Sequence, residues 1–80
     1  MTITVKYFGL IADISKKKEE ILHFENSDFT VENLKENLIQ KYADLNDHSF
    51  VIAVNKTIAS ENLIIKNSDI IALLPPFAGG

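Results

Sequence analysis

Between Thr30 and Leu45 the apolar residues Val31, Leu34, Leu38, Tyr42 and Leu45 recur at steps of three and four, which draws one apolar stripe along one helix. Such a helix must lay its stripe against another surface that is apolar on one face. A chain of 80 residues has material for a single core, so the partner of the helix has to come from the short segments around it. Thr30 is the expected N-cap, its hydroxyl accepting from a free amide of the first turn. Glu32 sits where the positive end of the helix dipole favours an anion.

Those segments read as strands. In "TITVKYF", Ile3, Val5 and Tyr7 alternate with Thr2, Thr4 and Lys6, the two-residue period of a strand with one buried face. Gly9 breaks the pattern, and "LIADISKKK" reads as a turn holding at most one helical coil. "EEILHFE" reads as a second strand, with Ile21 and His23 on one face and Leu22 and Phe24 on the other, in a hairpin with the first. "SFVIAVN" is an almost unbroken apolar run, so both its faces are expected to be covered and the strand to lie near the sheet centre. Asn55 ends it as a turn residue, and "KTIASENLIIK" has no clear period. "NSD" is a turn ahead of a last strand, "IIALL", which Pro75 and Pro76 end because neither can donate a ladder hydrogen bond. The resulting order is α+β. One main helix packed across a mixed β-sheet, with the last strand feeding an extended C-terminal tail, is the β-grasp arrangement on which ubiquitin is built. Residues 1–74 form the expected domain and residues 75–80 the tail.

Composition narrows the chemistry. Hydrophobic residues make up 46% of the chain and charged ones 24%, which suits a folded core and not a disordered segment. A net charge of −3 offers no basic face for phosphates, which argues against nucleic acid and for protein as the partner. No cysteine is present, so a disulfide, a thiolate nucleophile, a side-chain persulfide and a Cys-built metal site are excluded. The opening residues alternate instead of forming an apolar signal, and no stretch has membrane-spanning length, so a cytoplasmic location without membrane contact is expected. His23 falls in a strand and His48 in a loop, without the spacing of a metal site. "KKKEE" reads as a solvated hairpin tip. Ser15, Ser27, Ser49, Ser60 and Ser68 fall in predicted turns or strand starts, none in a nucleophile pattern. The glycines are Gly9, Gly79 and Gly80 alone, so there is no phosphate-binding loop.

What remains is the ending, "PPFAGG". Pro75 and Pro76 hold φ near one value and project the chain outward as a stiff segment. From Pro75 to Gly80 it reaches at most about 20 Å, at about 3.3 Å per residue. Gly79 and Gly80 have no Cβ, so they can thread a channel too narrow for other residues and present the Gly80 carboxylate to a buried site on a partner. A carboxylate is a poor acyl donor until ATP converts it to an acyl-adenylate, which a sulfur or amine nucleophile can attack. Phe8 and Leu74 are out of phase with the buried positions of their strands. With Ile58, in the turn after the third strand, they are expected to form an outward apolar patch near the root of the tail, the mark of a protein contact. The alternative is a small second core under the loops.

With "VKYFG" opening the domain, "TVENLKENL" starting the helix, "AVNKTI" after the third strand and "DIIALLPPFAGG" at the end, the whole chain resembles the small, sulfur-carrying subunits of molybdopterin synthases. Pro-Pro, two residues and Gly-Gly are the specific part, since thiazole-pathway carriers also end in Gly-Gly but usually lack the prolines. The resemblance implies that an adenylyltransferase similar to the ubiquitin-activating enzymes adenylates Gly80 with ATP, and that Gly80 then becomes a thiocarboxylate. It implies that Pro75, Pro76, Phe77, Ala78 and Gly79 enter the large synthase subunit and that Phe8, Ile58 and Leu74 form the contact surface. Sulfur would pass to cyclic pyranopterin monophosphate to build the dithiolene of the molybdenum cofactor, in a heterotetramer of two small and two large subunits. The chain would be the carrier part of a sulfurtransferase, with no catalysis alone and no metal or cofactor of its own. Ala12-Asp13 stands where many relatives have Arg-Glu, Asn67-Ser68 where Asp-Gly is usual, and Phe77-Ala78 where Val-Ser or Val-Thr is common. The alternatives are a ubiquitin-like protein modifier, a thiazole-pathway sulfur carrier and a plain binding module.

Overall fold

Alternation at the start of the chain is realised as strand β1 (Thr2–Tyr7), with Ile3, Val5 and Tyr7 buried. The computed structural model describes residues 1–25 and 27–76. Within them β1 is followed by α1 (Leu10–Ser15), β2 (Glu19–His23), α2 (Val31–Lys41), a 3₁₀ turn (Ala43–Asp47), β3 (Val51–Val54), β4 (Thr57–Ile58) and β5 (Ile70–Leu74). The strands make one sheet in the order β2-β1-β5-β3-β4. β1 pairs antiparallel with β2, Thr4 opposite Ile21, and parallel with β5, Val5 opposite Ile71. β3 runs antiparallel to both β5 and β4. A mixed sheet with one main helix across it is the β-grasp fold.

α2 starts where the Thr30 hydroxyl accepts from the Asn33 amide at 3.2 Å, while the Asn33 side-chain oxygen accepts from the Thr30 amide at 3.0 Å. This is a reciprocal cap with asparagine in its fourth position. Val31, Leu34 and Leu38 are buried with Leu45, Ile71 and Leu73 in one core, and burial of each leucine stabilises by about 2 kcal/mol. The regular helix ends at Lys41, short of the expected end at Leu45. Tyr42 leaves helical geometry at φ −126°, ψ 84° and the chain tightens into the 3₁₀ turn. The break keeps Leu45 in the core and lets the Tyr42 hydroxyl reach Glu20 at 2.6 Å.

Other segments also differ from their sequence patterns. β3 lies near the sheet centre as expected, but the central strand itself is β5. Ile52, Ala53 and Val54 are buried, as their apolar run implies, but β3 has only the two-residue β4 on its outer side. The reason is the parallel pairing of β1 with β5, a long-range choice that no local pattern encodes. β2 stops at His23, and Phe24 beyond it stacks on Phe29 with ring centroids 4.4 Å apart. "LIADISKKK" contains the helix α1, in which Ser15 is buried and its Oγ donates to the Lys17 carbonyl at 3.1 Å. "KTIASENLIIK" contains β4 and a bridge between Thr30 and Ile64. Ser68, in the turn before β5, holds φ 73°, a left-handed conformation that glycine would adopt without strain.

"KKKEE" is not merely a solvated tip. The Glu20 carboxylate accepts from Lys41 Nζ at 2.7 Å, the Tyr42 hydroxyl at 2.6 Å, Lys17 Nζ at 3.1 Å and the Tyr7 hydroxyl. Its side chain is only 9% exposed. Burial, the largest single influence, pushes this carboxyl up, but the hydrogen bonds from Lys41, Tyr42, Tyr7 and Lys17 together outweigh it and hold the group down to about 2 from 4.5. Tyr7 is pushed up, first by burial and then by its hydrogen bond to Glu20. Because the folded carboxyl is the stronger acid, the network's contribution is complete above the unfolded value of 4.5 and disappears as pH falls toward 2. Denaturant titrations of wild type and Glu20→Gln should show a stability gap on the order of 3 kcal/mol at neutral pH that closes between about pH 5 and pH 2. A gap that stays constant over that window would detach Glu20 from the network.

Candidate functional site

The alternation that buries Ile71 and Leu73 against α2 turns Ile70, Ala72 and Leu74 to the opposite face of the sheet. There the register sets Lys6 beside Ala72, Ala72 beside Ala53, Ala53 beside Ile58, and Val51 beside Leu74. Phe8 is 44%, Ile70 45% and Ile58 63% exposed, while Leu74 is half-buried. The three predicted contact residues therefore share one face, Phe8 and Ile58 outward and Leu74 partly covered. Exposure of that size is not that of a second core. Beside Phe8 on this face lies a depression of about 340 Å3 lined by Lys6, Phe8, Asn55, Lys56, Ile70 and Ala72.

Ile58 belongs to strand β4 rather than to a turn, and the turn before it explains its position. Asn55 and Lys56 hold φ 49° and 74°, the two-residue left-handed turn whose twist suits a tight hairpin. The Asn55 amide donates to the Ile70 carbonyl at 2.8 Å. Its side chain accepts from the Ile70 amide and donates to the Asp69 carboxylate, both at 2.9 Å. The β3–β4 hairpin is thus pinned to the first residues of β5. Sequence reading found Asn55 as a turn former but not this link, whose partner is fourteen residues away.

The root of the tail is held by Gly9, which the sequence marked only as the end of the first strand. Phe8 N–H donates to the Leu73 carbonyl at 3.2 Å, which carries the β1–β5 pairing one residue further. Gly9 then turns at φ 57°, and a Cβ there would meet Pro75 Cγ at 2.9 Å. The signal available was a glycine directly after a strand, in "VKYFG". Pro75 is half-buried and Pro76 exposed. Phe77, Ala78, Gly79 and Gly80 lie outside the described residues. Among the described residues no three His, Cys, Asp or Glu side chains gather as a metal ion would need, and His23 Nδ1 lies 2.9 Å from the Thr2 hydroxyl. No helix among them is long and apolar enough to cross a membrane.

The ThiS family model matches residues 5–80. The chain belongs to the ThiS family. It is 34% identical over 82 residues to the molybdopterin synthase sulfur carrier subunit of Mycobacterium tuberculosis, across 98% of this chain and 96% of that protein. Among solved structures it is similar to a Pyrococcus furiosus chain described as molybdopterin converting factor, subunit 1. That match has a TM-score of 0.89 at 21% identity and covers 95% of this chain and 98% of that one; at such identity the likeness is one of fold. It is also similar to a chain in the complex of subunits 1 and 2 of the molybdopterin-converting factor of Helicobacter pylori 26695. Here the TM-score is 0.70 at 26% identity, with 100% of both chains covered.

In this ThiS-family chain Gly9 carries two demands at once, a left-handed backbone and a close approach by a ring that cannot swing aside. Gly9→Ala should lower the free energy of unfolding by at least about 1 kcal/mol, read from chemical denaturation. Adding Pro75→Ala should recover the part due to the contact and leave the part due to φ. An unchanged midpoint in Gly9→Ala would mean that the turn relaxes out of the left-handed region at no cost.

Proposed function

We propose that this chain is the sulfur-carrier subunit of a molybdopterin synthase, in the cytoplasm, with residues 1–74 as the docking domain and residues 75–80 as the reactive tail. One observation carries the reading: a chain 34% identical over nearly its full length to a sulfur carrier subunit runs its central strand, β5, straight into Pro75 and Pro76 beside an outward apolar face. The domain holds the tail at its root and presents Phe8, Ile58 and Leu74 to the large subunit. Pro75 and Pro76 stiffen the exit, and Phe77, Ala78 and Gly79 lead Gly80 into the partner.

The chemistry belongs to the Gly80 carboxylate. In an adenylyltransferase of the ubiquitin-activating type, its oxygen attacks the α-phosphorus of ATP and pyrophosphate leaves. A sulfur nucleophile then displaces AMP from the acyl-adenylate, and the thiocarboxylate forms. In the large subunit the thiocarboxylate sulfur passes to cyclic pyranopterin monophosphate, and water returns the tail to a carboxylate. Two small and two large subunits make the assembly, and the acid–base groups come from the large one.

Two experiments test this. Incubation with a matching activating enzyme, ATP and a sulfur donor should exchange one terminal oxygen for sulfur, read by intact-protein mass spectrometry. Deleting Gly80 draws the carboxylate back by about 3.3–3.6 Å, more than near-attack geometry tolerates. The truncated chain should keep its affinity for the large subunit and lose sulfur transfer. Normal sulfuration by the truncated chain would take the reactive role away from Gly80.

A third experiment concerns the outward face. Ile58→Glu, at an exposed position, should fold normally and weaken binding to the large subunit by several kcal/mol, because the contact would bury an unpaired carboxylate. Leu74→Glu should act in the same direction with some loss of stability, since that side chain is half-buried. Isothermal titration calorimetry measures both. Unchanged affinity in Ile58→Glu would move the interface off this face.

A further inference from the structure

The sheet edge at β2 has a property that sulfur transfer does not use. The opposite edge, β4, is two residues long, so β2 is the longer edge strand among the described residues. Its pairing with β1 decides which way its backbone groups point. Tyr7 N–H donates to the Lys18 carbonyl at 2.8 Å and Phe24 N–H to the Met1 carbonyl at 2.9 Å. Bonded partners alternate along an antiparallel pair, and the register runs unbroken from Lys6 opposite Glu19 to Thr2 opposite His23. Glu20 and Leu22 therefore turn their N–H and C=O toward β1, and Glu19, Ile21 and His23 turn theirs out of the sheet. The middle one of these, Ile21, is 61% exposed.

We propose that β2 pairs antiparallel with β2 of a second copy of this chain, Ile21 opposite Ile21, joining the two sheets into one. In that register every outward N–H of Glu19, Ile21 and His23 meets an outward C=O of the other strand. The side chains agree with it. The two Ile21 side chains touch across the twofold axis, and each Glu19 falls opposite a His23, at the roughly 5 Å spacing of directly opposed residues. The His23 Nδ1 is taken up by the Thr2 hydroxyl, which leaves Nε2 for the carboxylate of the second copy.

Charges on an edge strand usually prevent such pairing. Here the strand is self-complementary, because reversing it brings acid opposite imidazole and apolar opposite apolar. A slip by two residues would set Glu19 against Ile21 and leave His23 without its partner, so charge complementarity selects both the second copy and the register. One strand from each copy buries well under about 1,200 Å2 in total, the range of transient contacts, so the dimer forms at high concentration only. β5 and Pro75 are away from this edge, and the proposal stands or falls independently of the sulfur-carrier reading.

Sedimentation equilibrium on the full chain, from low micromolar to about 1 mM, should show the average mass rising from monomer toward dimer. Over the same range amide hydrogen exchange should slow at Glu19, Ile21 and His23 and stay unchanged at Glu20 and Leu22. Ile21→Lys, which sets two ammonium groups face to face at an exposed site, should leave the monomer folded by circular dichroism and abolish the dimer. Glu19→Lys should weaken dimerisation at least about tenfold, and Glu19→Lys with His23→Glu should restore it. A monomer at about 1 mM would overturn the proposal. So would a dimer that survives Ile21→Lys, or exchange protection that appears at residues other than these three.

Discussion

The parallel pairing of β1 with β5 is the constraint on which the rest of the molecule depends. It sets Thr4 beside Ile70 and Tyr7 beside Leu73, the two ends of the described chain in one ladder. Two parallel strands cannot be joined by a tight turn and need a crossover between them. Here the intervening chain supplies that crossover, with α2 lying on one face as it passes. Once β1 and β5 are neighbours, the hairpin partner β2 is pushed to one edge and β3 to the far side of β5, which is the observed order. Closing so long a loop has to precede the contacts that reward it, so the whole core is committed to a single cooperative structure.

The sheet then divides its two faces between different tasks. One face, with Ile3, Val5, Tyr7, Ile52, Val54, Ile71 and Leu73, makes the core with α2. The other has no helix among the described residues, and carries Phe8, Ile58 and Ile70 into solvent. Two polar devices keep this division in place from outside the core. Glu20 ties β1, β2 and the end of α2 through two tyrosines and two lysines. Asn55 ties the β3–β4 hairpin to β5. Both hold the outward face and the root of the tail in a fixed relation.

What was legible in the sequence was what is local. The alternation of Ile3, Val5 and Tyr7, the stripe from Val31 to Leu45 and the cap at Thr30 each state their own secondary structure within a few residues. The parity of Phe8 and Leu74 relative to the buried positions was enough to place them on the outward face, where Ile58 joins them by its position after the third strand. What was not legible depended on partners far along the chain. The apolar run of β3 reads as a strand near the sheet centre, yet a run says only that both faces are covered and not which strand lies on either side. Glu20 looked like one more charge in a polar turn because three of its partners, Tyr7, Tyr42 and Lys41, come from elsewhere. Gly9 announced a turn, but its contact with Pro75 crosses nearly the whole chain.

The central position of β5 has a mechanical consequence. Its hydrogen bonds to β1 and to β3 lie across the strand axis on both sides. A pull on the chain beyond Leu74, directed along the strand, loads both ladders in shear, all their bonds sharing the force at once. An edge strand pulled sideways would instead open one bond after another. A tail carried by β5 is therefore anchored in the stiffest direction that the sheet offers, and whatever grips it draws on the domain as a rigid whole.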